Sequence, residues 1–280
     1  MVPTQLRELA ERVVGCYDDL DAMSMALIAG SAARGLADDA SDLDVYLHFG
    51  EVDRATLEAT ARLEPLGARR IVGADRAAGY FEKYALDGRF VDVECISTVV
   101  LEVADEALTS GEATDQVLAL AGALRDAVAV RGSDELARWQ ARLTYTDELA
   151  RHQVRARGLR LLRPSALHRL TYARGDTLSF EARVSAVLLD LVGLLGAVNR
   201  TFLPLAEPKW LTWHLARLGH QPPELLARID AGLTRPDAAT MADLDRLAQE
   251  VLDLVDEHVP EATTAPARFV LDLDPTRPPI

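Results

Sequence analysis

Two pairs of acids stand out by their spacing. Asp42 and Asp44 are two apart at the front of the apolar run LDVYLHF, and Asp92 and Glu94 are two apart inside RFVDVECI. Side chains two apart on a β-strand project from the same face, so each pair presents its carboxylates together. Carboxylates held close in a partly buried place repel, and their pKa values split unless a cation sits between them. The usual cation for hard oxygen donors is Mg²⁺. Upstream, an apolar run ends in Gly30-Ser31. The glycine permits a tight turn and close backbone approach, while the serine hydroxyl and backbone N–H groups offer a hold on phosphate oxygen. Phosphate cradle and metal acids together are the minimum equipment for phosphoryl or nucleotidyl transfer. Asp-x-Asp alone would mean little, since such spacing is common on solvated strand ends. An edge strand with one wet face is the plain alternative for Asp92 and Glu94.

The elements that must position these residues follow from periodicity. Leu6, Leu9, Val13 and Tyr17 recur at helical spacing, which predicts a first helix over 4–19. Short strands are predicted over 25–29 and 42–49, and a helix over 52–63. Alternating runs over 80–86 and 89–96 flank Asp87-Gly88, a strong hairpin signal. Beyond residue 98 the strands are expected to stop. Helical patterns fill 101–110, 113–130, 134–162, 179–202, 210–218, 223–233 and 237–258, with one short strand possible at 268–273. The expected class is α+β: a small mixed-sheet domain over 1–110, then an all-helical, substrate-binding domain over 111–280.

Composition narrows the partners. The 280 residues carry a net charge of −14, which repels polyanions at long range and argues against nucleic acid as the main partner. A cationic or neutral small molecule fits better. The two cysteines, Cys16 and Cys95, lie far apart with no metal spacing, which suggests a reduced, cytoplasmic protein with structural thiols. The N-terminal stretch reads as an amphipathic helix and not as a signal peptide. The most apolar stretch, 184–198, is short and interrupted by Asp190, so a membrane span is not expected.

Gly30-Ser31, a loop of about ten residues and then Ser41-Asp42-Leu43-Asp44 resemble the signature of the DNA polymerase β-like nucleotidyltransferase superfamily, and FVDVE resembles its third-carboxylate strand. The resemblance rests on residues 24–96. The GSAARG variant with a helical second half is most similar to the bacterial antibiotic-modifying branch, the aminoglycoside and lincosamide nucleotidyltransferases and their uncharacterised relatives. It implies that Asp42 and Asp44 bind two Mg²⁺, and that a third acid binds one of them and helps activate the acceptor hydroxyl. Asp92, between two valines, is the first choice for that acid; Glu94 is the reserve or a base beside it. A nucleoside triphosphate and a hydroxylated small molecule are the implied substrates, with the helical half closing the cleft, and relatives of this kind often form dimers that share a site.

Gly30, Ser31, Arg34, Ser41 and Lys209 are the candidate nucleotide contacts. Arg34 would meet a phosphate or simply be solvated. Lys209, one of two lysines beside Lys83, would reach the triphosphate or lie on the surface. The arginine-rich run 151–174 is either a wall facing triphosphate or a partner to the acidic excess within the chain. Three functions compete: nucleotidyl transfer to a small hydroxylated compound such as an antibiotic, transfer to a protein or tRNA, and a non-catalytic binding relative of the fold.

Overall fold

Six strands form one sheet: β1 (Met23–Ile28), β2 (Leu43–Phe49), β3 (Arg69–Arg76), β4 (Gly79–Leu86), β5 (Arg89–Ser97) and β6 (Val128–Arg131). The structure, a computed structural model, describes residues 2–20, 22–50, 62–76 and 79–272. Most of the helix expected over 52–63 lies outside the described residues. The strand order is β3-β4-β5-β2-β1-β6, with β2 and β5 parallel and every other pair antiparallel.

Alternation gives the sheet two unlike faces. On one, Leu43, Val45 and Leu47 of β2 join Val91 and Val93 of β5 and Ala26 and Ile28 of β1 in a single core. Helix α1 (Thr4–Gly15) closes that core with Leu6, Leu9, Ala10, Val13 and Val14. Burying each aliphatic side chain contributes about 1.5–3 kcal/mol, enough to hold a helix of this length that would be marginal alone. One carboxylate, Glu82 of β4, is sealed into this side. It accepts hydrogen bonds from the hydroxyls of Tyr17 and Tyr84, each at 2.9 Å, with the Arg70 guanidinium 3.3 Å away. Burial, then the charge of Glu82, pushes the Tyr17 hydroxyl far above its usual pKa, so it stays a donor. The opposite face of the sheet carries Asp42, Asp44, Asp92 and Glu94.

The chain divides into two compact units, Met1–Glu106 with Leu120–Thr144 and Ala107–Ala119 with Tyr145–Ile280. The sequence suggested one cut at residue 110; the first unit instead takes back a later segment, because β6 pairs antiparallel with β1. Strands therefore do not stop at residue 98, and the helix expected over 113–130 ends at Asp126. The expected helix 134–162 is two helices, Ser133–Arg142 and Asp147–Gly158; the Thr146 side chain accepts from the Leu149 N–H and starts the second. The tail expected as a strand over 268–273 is helical over Ala265–Asp272, and Leu273 lies outside the described residues.

The second unit is built on helices Thr177–Val198 and Ala238–His258. Leu191, Leu194, Leu195 and Val198 share one core with Met241, Leu244, Val251, Leu252 and Val255. Asp237 and Thr240 cap the second helix reciprocally. Among the described residues no helix is long and apolar enough to cross a membrane.

Candidate active site

Register brings the acids together. In the parallel pair, Asp44 lies beside Asp92 and Tyr46 beside Glu94, while Asp42 stands one residue ahead of β2. One carboxylate oxygen from each of Asp42, Asp44 and Asp92 lies within 4.8 Å of the other two, and all three residues are half-buried. Three oxygens no more than 4.8 Å apart lie within about 2.8 Å of a common point, so shifts of about 0.7 Å each would bring them to the Mg–O distance of about 2.1 Å. The donor set fits a hard divalent cation. Glu94, two residues further along β5, is not in this group.

A cation from the protein already enters it. Lys83 of β4 pairs directly with Asp92 across the hairpin. Its Nζ donates to Asp92 Oδ2 at 2.9 Å, lies 2.8 Å from Oδ1, and lies 3.6 Å from Asp42 Oδ2. Burial works against the charged ammonium, but the hydrogen bond and charge of Asp92, with the charge of Asp42, win, and the Lys83 pKa is raised.

The loop before Asp42 is braced twice. Ser41 Oγ donates to Asp38 Oδ1 at 2.8 Å and accepts from the Asp38 N–H. Arg89 reaches back from β5 to donate to the carbonyl of Asp38 at 2.9 Å and to that of Ser41. Gly30 begins the short helix α2 (Gly30–Arg34) at φ +61°, a left-handed conformation. A Cβ there would fall 1.9 Å from Asp44 Oδ2, so only glycine lets the backbone pass this close to the carboxylate.

The remaining candidates fall in different places. Ser31 is buried in α2. Arg34 donates through Nε to Asp126 at 2.6 Å and is engaged there. Ser41 organises the turn just described. Lys209 is exposed and belongs to the helical unit, just before helix Leu211–Leu215. Four of the seven arginines in the run are matched within the chain. Arg151 pairs with Glu148 and Glu261, Arg163 with Asp245, and Arg157 and Arg160 both reach Asp190. Arg157 is only 3% exposed. It also meets Asp115 and donates to Gln153 at 2.9 Å, and it lies where a Cβ on Gly193 would stand.

Three residues near the acids went unassigned in the sequence. Lys83 had a signal: a two-residue turn at Asp87-Gly88 places residues 83 and 92 opposite each other by counting alone. Arg89 had none, because its partners are loop carbonyls set by the fold. His48 follows Asp44 and Tyr46 on the same face of β2, at the dry end of the strand. It is fully buried, neither ring nitrogen has a hydrogen-bond partner, and desolvation lowers its pKa to about 4.

No family model matches the chain, and no curated protein does. Among solved structures, the chain is similar to a nucleotidyltransferase-like protein from Exiguobacterium sibiricum, at 14% identity and a TM-score of 0.40, over 90% of this chain and 73% of that one. A likeness this distant decides nothing about chemistry, which rests on the side chains just described.

Proposed function

We propose that the sheet unit is a nucleotidyltransferase centre that moves a nucleoside monophosphate from a nucleoside triphosphate to a hydroxyl of a small acceptor. The observation that carries this is the convergence of Asp42, Asp44 and Asp92 from two adjacent strands, beside a glycine whose backbone nearly touches Asp44. Those three carboxylates would hold Mg²⁺, which supplies charge neutralisation at the reacting phosphate when bound. In the step itself the acceptor oxygen bonds to the α-phosphorus, the bond to pyrophosphate breaks, and the hydroxyl proton passes to a carboxylate, Asp92 or Glu94. Gly30 and Ser31 stand at the triphosphate end. Arg89 and Ser41 keep the Asp42 loop in one place, so that catalysis draws on positioning.

An aminoglycoside-like or lincosamide-like antibiotic is the acceptor class proposed, supported by the resemblance of GSAARG and by a net charge of −14 that suits a polycationic acceptor. The matched arginines of the 151–174 run weigh against tRNA as the alternative acceptor. The test is transfer of label from α-³²P ATP or GTP with Mg²⁺ to a panel of aminoglycosides, lincosamides and tRNA. Wild type is expected to label a small acceptor and Asp44→Asn to lose at least about 100-fold of that rate. A folded wild-type protein that binds no nucleotide ends the proposal.

A further inference from the structure

We propose that Lys83 is a resident cation of the carboxylate cluster, standing where an ion between Asp42 and Asp92 would sit, so that the site takes up one divalent ion rather than two. This rests on the nucleotidyl-transfer reading above. Strand register, and not a flexible tail, delivers the lysine: Lys83 and Asp92 are paired across a two-residue turn whose central residues, Asp87 and Gly88, both have positive φ. Its nitrogen is within 3 Å of both oxygens of Asp92 and 3.6 Å from Asp42. The ammonium is confined from another side by Phe90, whose ring centroid lies 5.3 Å from Nζ and whose aromatic face attracts a cation.

An ion bridging Asp92 to Asp42 must approach an oxygen of each to about 2.1 Å. That is the gap the ammonium fills, and a divalent ion beside it would meet its repulsion at close range. Asp42 and Asp44 are left to take one ion together with the triphosphate. In place of the ligand role given to it above, Asp92 then keeps Lys83 in position, and the acceptor proton passes to Glu94.

The decisive measurement is a Mn²⁺ titration followed by the electron paramagnetic resonance of the free ion, in the presence of a non-hydrolysable ATP analogue. Wild type is expected to bind one Mn²⁺ per chain, Lys83→Met to gain a second, and Lys83→Arg, which keeps the charge, to return to one. Thermal melting of the metal-free proteins adds a second readout: Lys83→Met should melt lower than wild type and recover most of the difference on adding Mn²⁺. Two ions in wild type overturn the proposal without any variant, and so does a folded Lys83→Met with unchanged stoichiometry; nucleotidyl transfer survives either result if the analogue binds. If wild type takes up neither Mn²⁺ nor the analogue, both proposals fall.

Discussion

Charge is handled in opposite ways in the two units. In the helical unit two guanidiniums, Arg157 and Arg160, converge on the single carboxylate of Asp190, and Arg157 also meets Asp115. In the sheet unit one ammonium lies between two carboxylates, Asp42 and Asp92, with Asp44 beside them. Buried charges are tolerated when matched and hydrogen-bonded, which describes the first arrangement and marks it as structural. Gathering three carboxylates on one half-buried patch has no comparable structural benefit. The difference sets a part of the molecule that holds itself together against a part that, on the function proposed above, is arranged for an ion to bind.

Three experiments would break or sharpen this contrast. The largest effect is expected from Arg157→Ala, which removes a buried guanidinium and one of the two cations on Asp190. Because Arg160 still meets that carboxylate, the cost should lie at the low end for a broken buried pair, about 3 kcal/mol in urea unfolding. A loss below about 1 kcal/mol would put the helical network on the same footing as the acid cluster. Next comes His48. Its folded pKa of about 4 lies below the usual 6.5, so on acidification the unfolded chain takes up the proton first. Stability from keeping it neutral is complete above pH 6.5 and lost as pH falls towards 4. That amounts to about 2 kcal/mol between pH 7 and pH 5. His48→Leu should remove that part of the pH slope, and an unaltered slope would show that the ring is solvated. The smallest effect has the opposite sign: Asp42→Asn should stabilise the metal-free protein by about 0.5–1 kcal/mol while abolishing its stabilisation by Mg²⁺, as expected where function is maintained against stability. Clear destabilisation by Asp42→Asn would place the acid in the structural class.

The acid face was legible because its cues are local: alternation put Asp42 and Asp44 on one side of β2, and Asp-Gly between alternating runs announced the β4–β5 hairpin. The flanking valines made Asp92 the first choice over Glu94, but which acids meet is a question of register between strands far apart in sequence, and the parallel pairing of Asp44 with Asp92 supplies it. The edge strands escaped for a related reason. In β3, Ile71 and Val72 are both exposed, and β6 is a four-residue run at the end of an apolar helical pattern. Each is a strand by virtue of one neighbour, β4 or β1, which no local preference reveals. The break between Arg142 and Asp147 was written in Thr146, a capping residue followed by two acids, but continuous helical periodicity on both sides masked it.

The turn at Asp87-Gly88 also works as a ruler for inheritance. Strand side chains repeat every two residues, so one added residue in that turn, absorbed by slippage of β4, would exchange its faces. Lys83 would go to the side packed under α1, and Glu82 and Tyr84 would come round to the acids. A one-codon insertion at an exposed bend, harmless in most surface loops, would thus replace the ammonium of the cluster with a further carboxylate. Lineages of this protein should tolerate residue exchanges at exposed positions of the sheet edge, such as Ile71 and Val72, before they tolerate a change in the length of this bend.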